Sequence, residues 1–157
     1  MTHLPRRTFL KHTLASAVLA SSASTSLFAP GWALAADWPK DAFAAKKFED
    51  AVQALFGSAT LTPSASIRLK APAQAENSAQ VQIQVVAELP NVDAIAVFVE
   101  KNPSPLVAHA SFSGAEGYFS ARMKMAQTSD VVAVVKSGGK LYAARQNIKV
   151  TVGGCGG

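Results

Sequence analysis

From Ser66 onward, apolar and polar residues alternate along much of the chain. SIRLKA sets Ile67 and Leu69 on one side and Arg68 and Lys70 on the other. VQIQVVAEL sets Val81, Ile83 and Val85 against Gln82 and Gln84. Successive side chains of an extended chain point to opposite faces, so this period of two predicts half-buried strands. AIAVFVEK, LVAHASFS, YFSARMKM, VVAVVKS and KLYAARQNIKVTV bring the total to about seven strand candidates, separated by Pro, Asn, Ser and Gly clusters. APAQAENS reads as a polar loop, and Gly138-Gly139 as the turn of a hairpin. Most candidates have one apolar face, which favours antiparallel over parallel sheets. Their number and spacing predict an all-β, antiparallel β-sandwich. AIAVFV and VVAVV are apolar on both faces, as central strands or strands that meet a partner would be.

Upstream of these strands the period is helical. Phe48, Val52 and Leu55 fall at i, i+4 and i+7, and residues 36–57 read as one short helix. Pro39 and Asp41 stand near its start, and Gly57 follows its last apolar pair as a stop signal. The 157 residues fit a single folded domain, and 49% hydrophobic residues suffice for a packed core. The expected division is a leader at 1–35, a helical segment at 36–57, a sandwich at 58–152 and an arm at 153–157.

Charge is unevenly placed. The formal net charge is +5, but Arg6, Arg7 and Lys11 precede the first acidic residue, Asp37. Without residues 1–35, the remainder carries 12 basic against 10 acidic residues. That balance, with no basic run interleaved with aromatics, argues against nucleic acid as a partner. PRRTFLKHT followed by an Ala- and Ser-rich apolar stretch ending at Ala33-Leu34-Ala35 reads as a cleavable export signal cut after Ala35. Pro30, Gly31 and the serines interrupt the stretch before it reaches the ~20 apolar residues of a membrane span. The twin arginines Arg6 and Arg7, with Phe9, Leu10 and Lys11, resemble the twin-arginine (Tat) signal, with Pro5 where Ser or Thr is usual. That resemblance implies a periplasmic protein, free of the membrane after cleavage and exposed to an oxidising compartment.

Catalytic chemistry is scarce. After the leader there is one histidine, His109, in VAHASFS. No nucleophile elbow, zinc-binding, P-loop or dinucleotide fingerprint occurs, and the carboxylates show no metal-ligand spacing. Asp93, Glu100, Glu116 and Asp130 read as solvated charges, and Ser111, Ser113 and Ser120 lack a triad pattern. The reading is therefore no catalytic residue, no metal and no cofactor on this chain.

The specific signal is the ending, VTVGGCGG. Cys155, the only cysteine, sits between Gly153-Gly154 and Gly156-Gly157. A lone cysteine in an exported protein implies an intermolecular bond or a reactive thiol. Glycine has broad backbone freedom and no side chain to pack, so the segment reads as a slender arm with one nucleophile. Residues 153–155 span at most about 10 Å, enough to enter a narrow channel. With an ordinary thiol pKa of about 8.5, only a few per cent is thiolate at neutral pH, so the sulfur needs a partner to activate it. Two readings follow: a carrier of covalently held cargo, or an interaction module linked through an interchain disulfide at Cys155.

The Tat-like leader, the strand-rich domain and VTVGGCGG together resemble the SoxY family of bacterial sulfur-compound oxidation. KNPSPLVAHASF, ARMKMAQTSDVVAVV and GKLYAARQNIKVTVGGCGG carry the same likeness. The resemblance implies an immunoglobulin-like sandwich paired with SoxZ, a smaller β-sandwich subunit. It implies that Cys155 carries pathway intermediates: SoxXA, a haem enzyme, joins thiosulfate to the thiol, and SoxB, a metal-dependent hydrolase, removes the terminal sulfonate as sulfate. In many organisms SoxCD, containing molybdenum and haem, oxidises the remaining sulfane sulfur. These cofactors belong to the partners.

Overall fold

A computed structural model describes residues 38–151. In chain order it contains helices α1 (Lys40–Ala44) and α2 (Phe48–Phe56), then strands β1 (Thr62–Pro63), β2 (Ile67–Lys70) and β3 (Gln74–Ala75). These are followed by β4 (Val81–Ala87), β5 (Val92–Val99), β6 (Leu106–Ser111), β7 (Gly117–Met123), β8 (Ser129–Ser137) and β9 (Lys140–Val150).

The expected single helix is two. Ala45 and Lys47 have extended ψ angles of 145° and 147°, which break the chain between α1 and α2. Phe43 and Phe48 explain the break. At 3.6 residues per turn, a continuous helix would set side chains five positions apart about 140° apart around its axis. Both phenylalanines pack on the same apolar cluster, so the chain must reset its direction between them. Gly57 closes α2 with φ +74°, and its N–H donates to the Gln53 carbonyl, as the stop signal predicted.

The strands form two sheets. The smaller runs β2-β4-β7 and is antiparallel throughout. The larger runs β1-β9-β8-β5-β6, with antiparallel β9-β8-β5-β6 at its heart. Two short strands, β1 and β3, pair in parallel with opposite ends of β9. The seven strands read from the sequence are all present. β1 went unread, and β3 lies inside the stretch read as a loop. The β8–β9 hairpin turns at Gly138 and Gly139, with φ +54° and +75°, where a residue with a Cβ would be strained.

Alternation decides what each sheet buries. Ile67, Val81, Ile83 and Val85 of the smaller sheet meet Ile95, Val97, Val99, Val131, Ala133, Val135 and Ile148 of the larger. The opposite face of β5 and β8, with Ala96, Phe98, Val132 and Val134, is covered by Ala42, Ala51 and Val52 of the helices. Phe48 meets Phe98 edge-on, ring centroids 5.2 Å apart at 89°. Ser104 Oγ donates to the Phe43 carbonyl, tying α1 to the β5–β6 connection. AIAVFV and VVAVV are thus central strands, buried by the opposing sheet on one face and the helices on the other. Their two-faced apolarity supplies no support for a partner surface.

Candidate functional site

Cys155, Gly153, Gly154, Gly156 and Gly157 lie outside the described residues, as do Arg6 and Arg7. The structure describes the chain that precedes the glycines and Cys155 as far as Thr151, just past the end of β9. Its ladder with β8 runs from Ser137↔Lys140 to Ser129↔Ile148. Past Ile148 two other elements hold the chain. On one side β3 pairs in register Gln74↔Lys149 and Ala75↔Val150. Lys149 N–H donates to the Ala73 carbonyl at 3.0 Å, and Thr151 N–H to the Ala75 carbonyl at 3.1 Å. Thr151 Oγ1 donates to that same carbonyl at 3.2 Å. On the other side Val150 N–H donates to Thr128 Oγ1 at 3.0 Å. Ala75 is itself buried, and Gln146 Nε2 donates to the Ala71 carbonyl at 3.0 Å, so the 71–75 segment is held to both core and strand.

Near the end of β9 lies a polar cluster built from β8, β9 and Glu100. Arg145 Nη1 lies 2.5 Å from Glu100 Oε1 and 3.4 Å from Asp130 Oδ2. Asn147 Nδ2 donates to Asp130 Oδ1 at 2.6 Å. The Asn147 hydrogen bond, then the bond and charge of Arg145, hold the Asp130 carboxyl below its ordinary pKa. Arg145 also lies 5.8 Å from the Phe48 ring centroid, joining the cluster to α2. Glu100 and Asp130 are therefore partly exposed charges paired with Arg145. Lys149 is exposed near the end of β9.

The other chemistry-bearing residues lie elsewhere. His109 is half-buried on β6, with Phe56 meeting its ring at 6.3 Å between centroids, and burial lowers its pKa. Asp93, Ser113 and Glu116 line a hollow of about 480 Å³ between the β4–β5 and β6–β7 connections, at the end of the sandwich away from Thr151. Ser120 Oγ donates to the Ile83 carbonyl at 3.3 Å. Among the described residues no three His, Cys, Asp or Glu groups come together as a metal site would require, and no helix is long and apolar enough to cross a membrane. The residues that the sequence left unnoticed are Thr128 and Ala73–Ala75. Their role is to hold backbone groups, and a backbone partner leaves no periodic mark.

Two packed sheets, with two short helices over the outer face of the larger one, define a small β-sandwich protein. The chain belongs to the family of the sulfur oxidation protein SoxY, whose model matches residues 52–155 and so includes Cys155. Among solved structures, the sulfur carrier protein SoxY from Chlorobium limicola f thiosulfatophilum is 41% identical, with a TM-score of 0.62. The alignment covers 68% of this chain and 97% of that one. A chain from a structure of T cell activation by the bacterial superantigen toxic shock syndrome toxin-1 is 10% identical with a TM-score of 0.40 over 54% of this chain and 99% of that one, too distant to carry an argument. No curated protein matched.

Proposed function

We propose that this chain is a covalent carrier in periplasmic thiosulfate oxidation, with Cys155 as the attachment atom and catalysis left to partner proteins. One observation carries the reading: the strand leading to the cysteine is fastened as far as Thr151, at the edge of a sandwich whose family is that of SoxY. The four residues from Thr151 to Cys155 reach at most about 14 Å, enough to pass a sulfur into a neighbouring active site. The two packed, mainly antiparallel sheets support an immunoglobulin-like body, and the twin arginines Arg6 and Arg7 support Tat export.

The chemistry balances as follows. The Cys155 thiol and thiosulfate form an S–S bond, giving a cysteine S-thiosulfonate, one proton and two electrons, and a SoxXA-like haem partner accepts the electrons. Water then attacks the terminal sulfonate at a SoxB-like hydrolase. The S–sulfonate bond breaks, releasing sulfate and two protons and leaving a persulfide anion on Cys155. A SoxCD-like partner oxidises that sulfane sulfur where present. Tethering keeps each intermediate at high local concentration beside the docked enzyme. A SoxZ-like subunit completes the heterodimer.

Mass spectrometry tests this. Chain incubated with thiosulfate and an active conjugating partner gains thiosulfate mass on Cys155, and Cys155→Ser gains none while keeping its fold. A serine variant that sustains thiosulfate turnover refutes the carrier reading. A permanent Cys155-linked dimer that never loads favours the interaction module instead.

A further inference from the structure

Another hollow, of about 350 Å³, lies where the end of α2, the chain leading into β1 and the β8–β9 hairpin meet. Ser58, Thr60, Thr62, Lys136 and Lys140 bring its polar side chains, and Phe56 and Leu141 its apolar ones. Residues 51–75 and 131–157 contain no Asp or Glu, so the segments that build it bring two ammonium groups and no carboxylate. Among the described residues neither lysine joins an ion pair, although Lys136 is half-buried. The carboxylate that the strand register brings nearest is Asp93, at the bulge between Val92↔Ser137 and Ala94↔Lys136, and it lines the other hollow instead. A lysine drawn partly out of water favours an opposite charge beside it. The carbonyl end of α2 offers roughly half a negative charge against two full positive ones, which leaves about one and a half unmatched. Ser58 Oγ accepts the Thr60 N–H at 3.2 Å, and its own hydrogen is still there to donate.

We infer that this hollow binds a small doubly charged oxyanion, of the sulfate, thiosulfate and phosphate class, between Lys136 and Lys140. The two ammonium groups supply charge-assisted donors, and the hydroxyls of Ser58, Thr60 and Thr62 supply neutral ones. At about 30 Å³ per water, the hollow has room for a tetrahedral anion and several waters. Its charges are open to solvent and screened by salt, so the affinity is modest, with a Kd on the order of 1 mM. Lys140 opens β9 and Val150 closes it, about 33 Å away at roughly 3.3 Å per residue. The site therefore stands independently of the carrier reading and of Cys155.

The test titrates sodium sulfate into the ¹⁵N-labelled full mature chain, kept reduced, with ionic strength held constant by sodium chloride. The amide signals of Thr60, Thr62, Gly139 and Lys140 move and saturate, half-way at about 1 mM. Lys136→Gln with Lys140→Gln raises that midpoint at least about tenfold, because both charged donors are lost. Lys136→Arg with Lys140→Arg keeps it within about twofold, because the charge and the donors remain. Thr60→Ala with Thr62→Ala removes two exposed hydroxyls and raises the midpoint about threefold, an independent reading should the glutamine pair fold poorly. Thiosulfate and phosphate run as separate arms. A lower midpoint for one of them identifies the anion, and equal midpoints mean that charge and shape alone are read; either result supports the site. Shifts that never saturate, that chloride alone reproduces, or that persist unchanged in both the glutamine and the alanine pairs overturn it.

Discussion

Phe98→Ala probes the contact on which the helical layer depends. Phe98 is fully buried on β5, beside its register partners Leu106 and Val132 and under the edge-on ring of Phe48. Truncation removes a side chain whose burial is worth about 1.5–3 kcal/mol by transfer. The cavity left behind adds to this, because strands β5 and β8 are locked by hydrogen bonds and cannot collapse into the space. Measured Phe→Ala substitutions in cores cost about 3–5 kcal/mol, and about 4 kcal/mol is expected here. Small domains have total stabilities of about 5–15 kcal/mol, so the variant folds with a much reduced margin. Urea unfolding, monitored by circular dichroism at fixed pH, measures the loss. A double-mutant cycle with Phe48→Ala isolates the ring pair, with a coupling of about 0.5–1.5 kcal/mol. A loss below about 1.5 kcal/mol with an unchanged m-value would show that the helices do not seal this face, and would refute the reasoning.

Two further predictions concern other parts of the sandwich. In Gly117→Ala, the added Cβ would stand 2.7 Å from the Ala87 carbonyl oxygen and 2.9 Å from Val92 Cγ2. The register pair Ala87↔Gly117 must therefore shift, at a cost of about 1–3 kcal/mol in the same urea assay; an unchanged midpoint would mean that the sheet end yields freely. His109 gives a pH dependence. Burial lowers its folded pKa below the reference 6.5, so its neutral form favours folding. As pH falls below 6.5 the unfolded chain takes up the proton first and stability declines, levelling off below the folded pKa. His109→Gln removes that component, and an identical pH profile for variant and wild type would assign the dependence to other groups.

The sequence alone was enough for the local features. A period of two marked seven strands, Gly57 and Gly138-Gly139 marked a helix end and a hairpin, and VTVGGCGG carried the likeness to the SoxY family. These are legible because each is written in neighbouring residues, as a period, a required positive φ or a motif. The break between α1 and α2 was hidden because helical periodicity on both sides looks continuous until the two phenylalanines must reach one cluster. The double apolarity of AIAVFV and VVAVV fitted either a central strand or a docking strand, and only the helices lying over Phe98 and Val132 decided between them. The pairing at the end of β9 was least legible of all. β3 is two residues of polar-looking chain paired in parallel with β9, 75 positions later, and Thr128 contributes one oxygen to a backbone N–H. Such contacts depend on distant segments arriving at the same place, and tertiary packing alone brings them there.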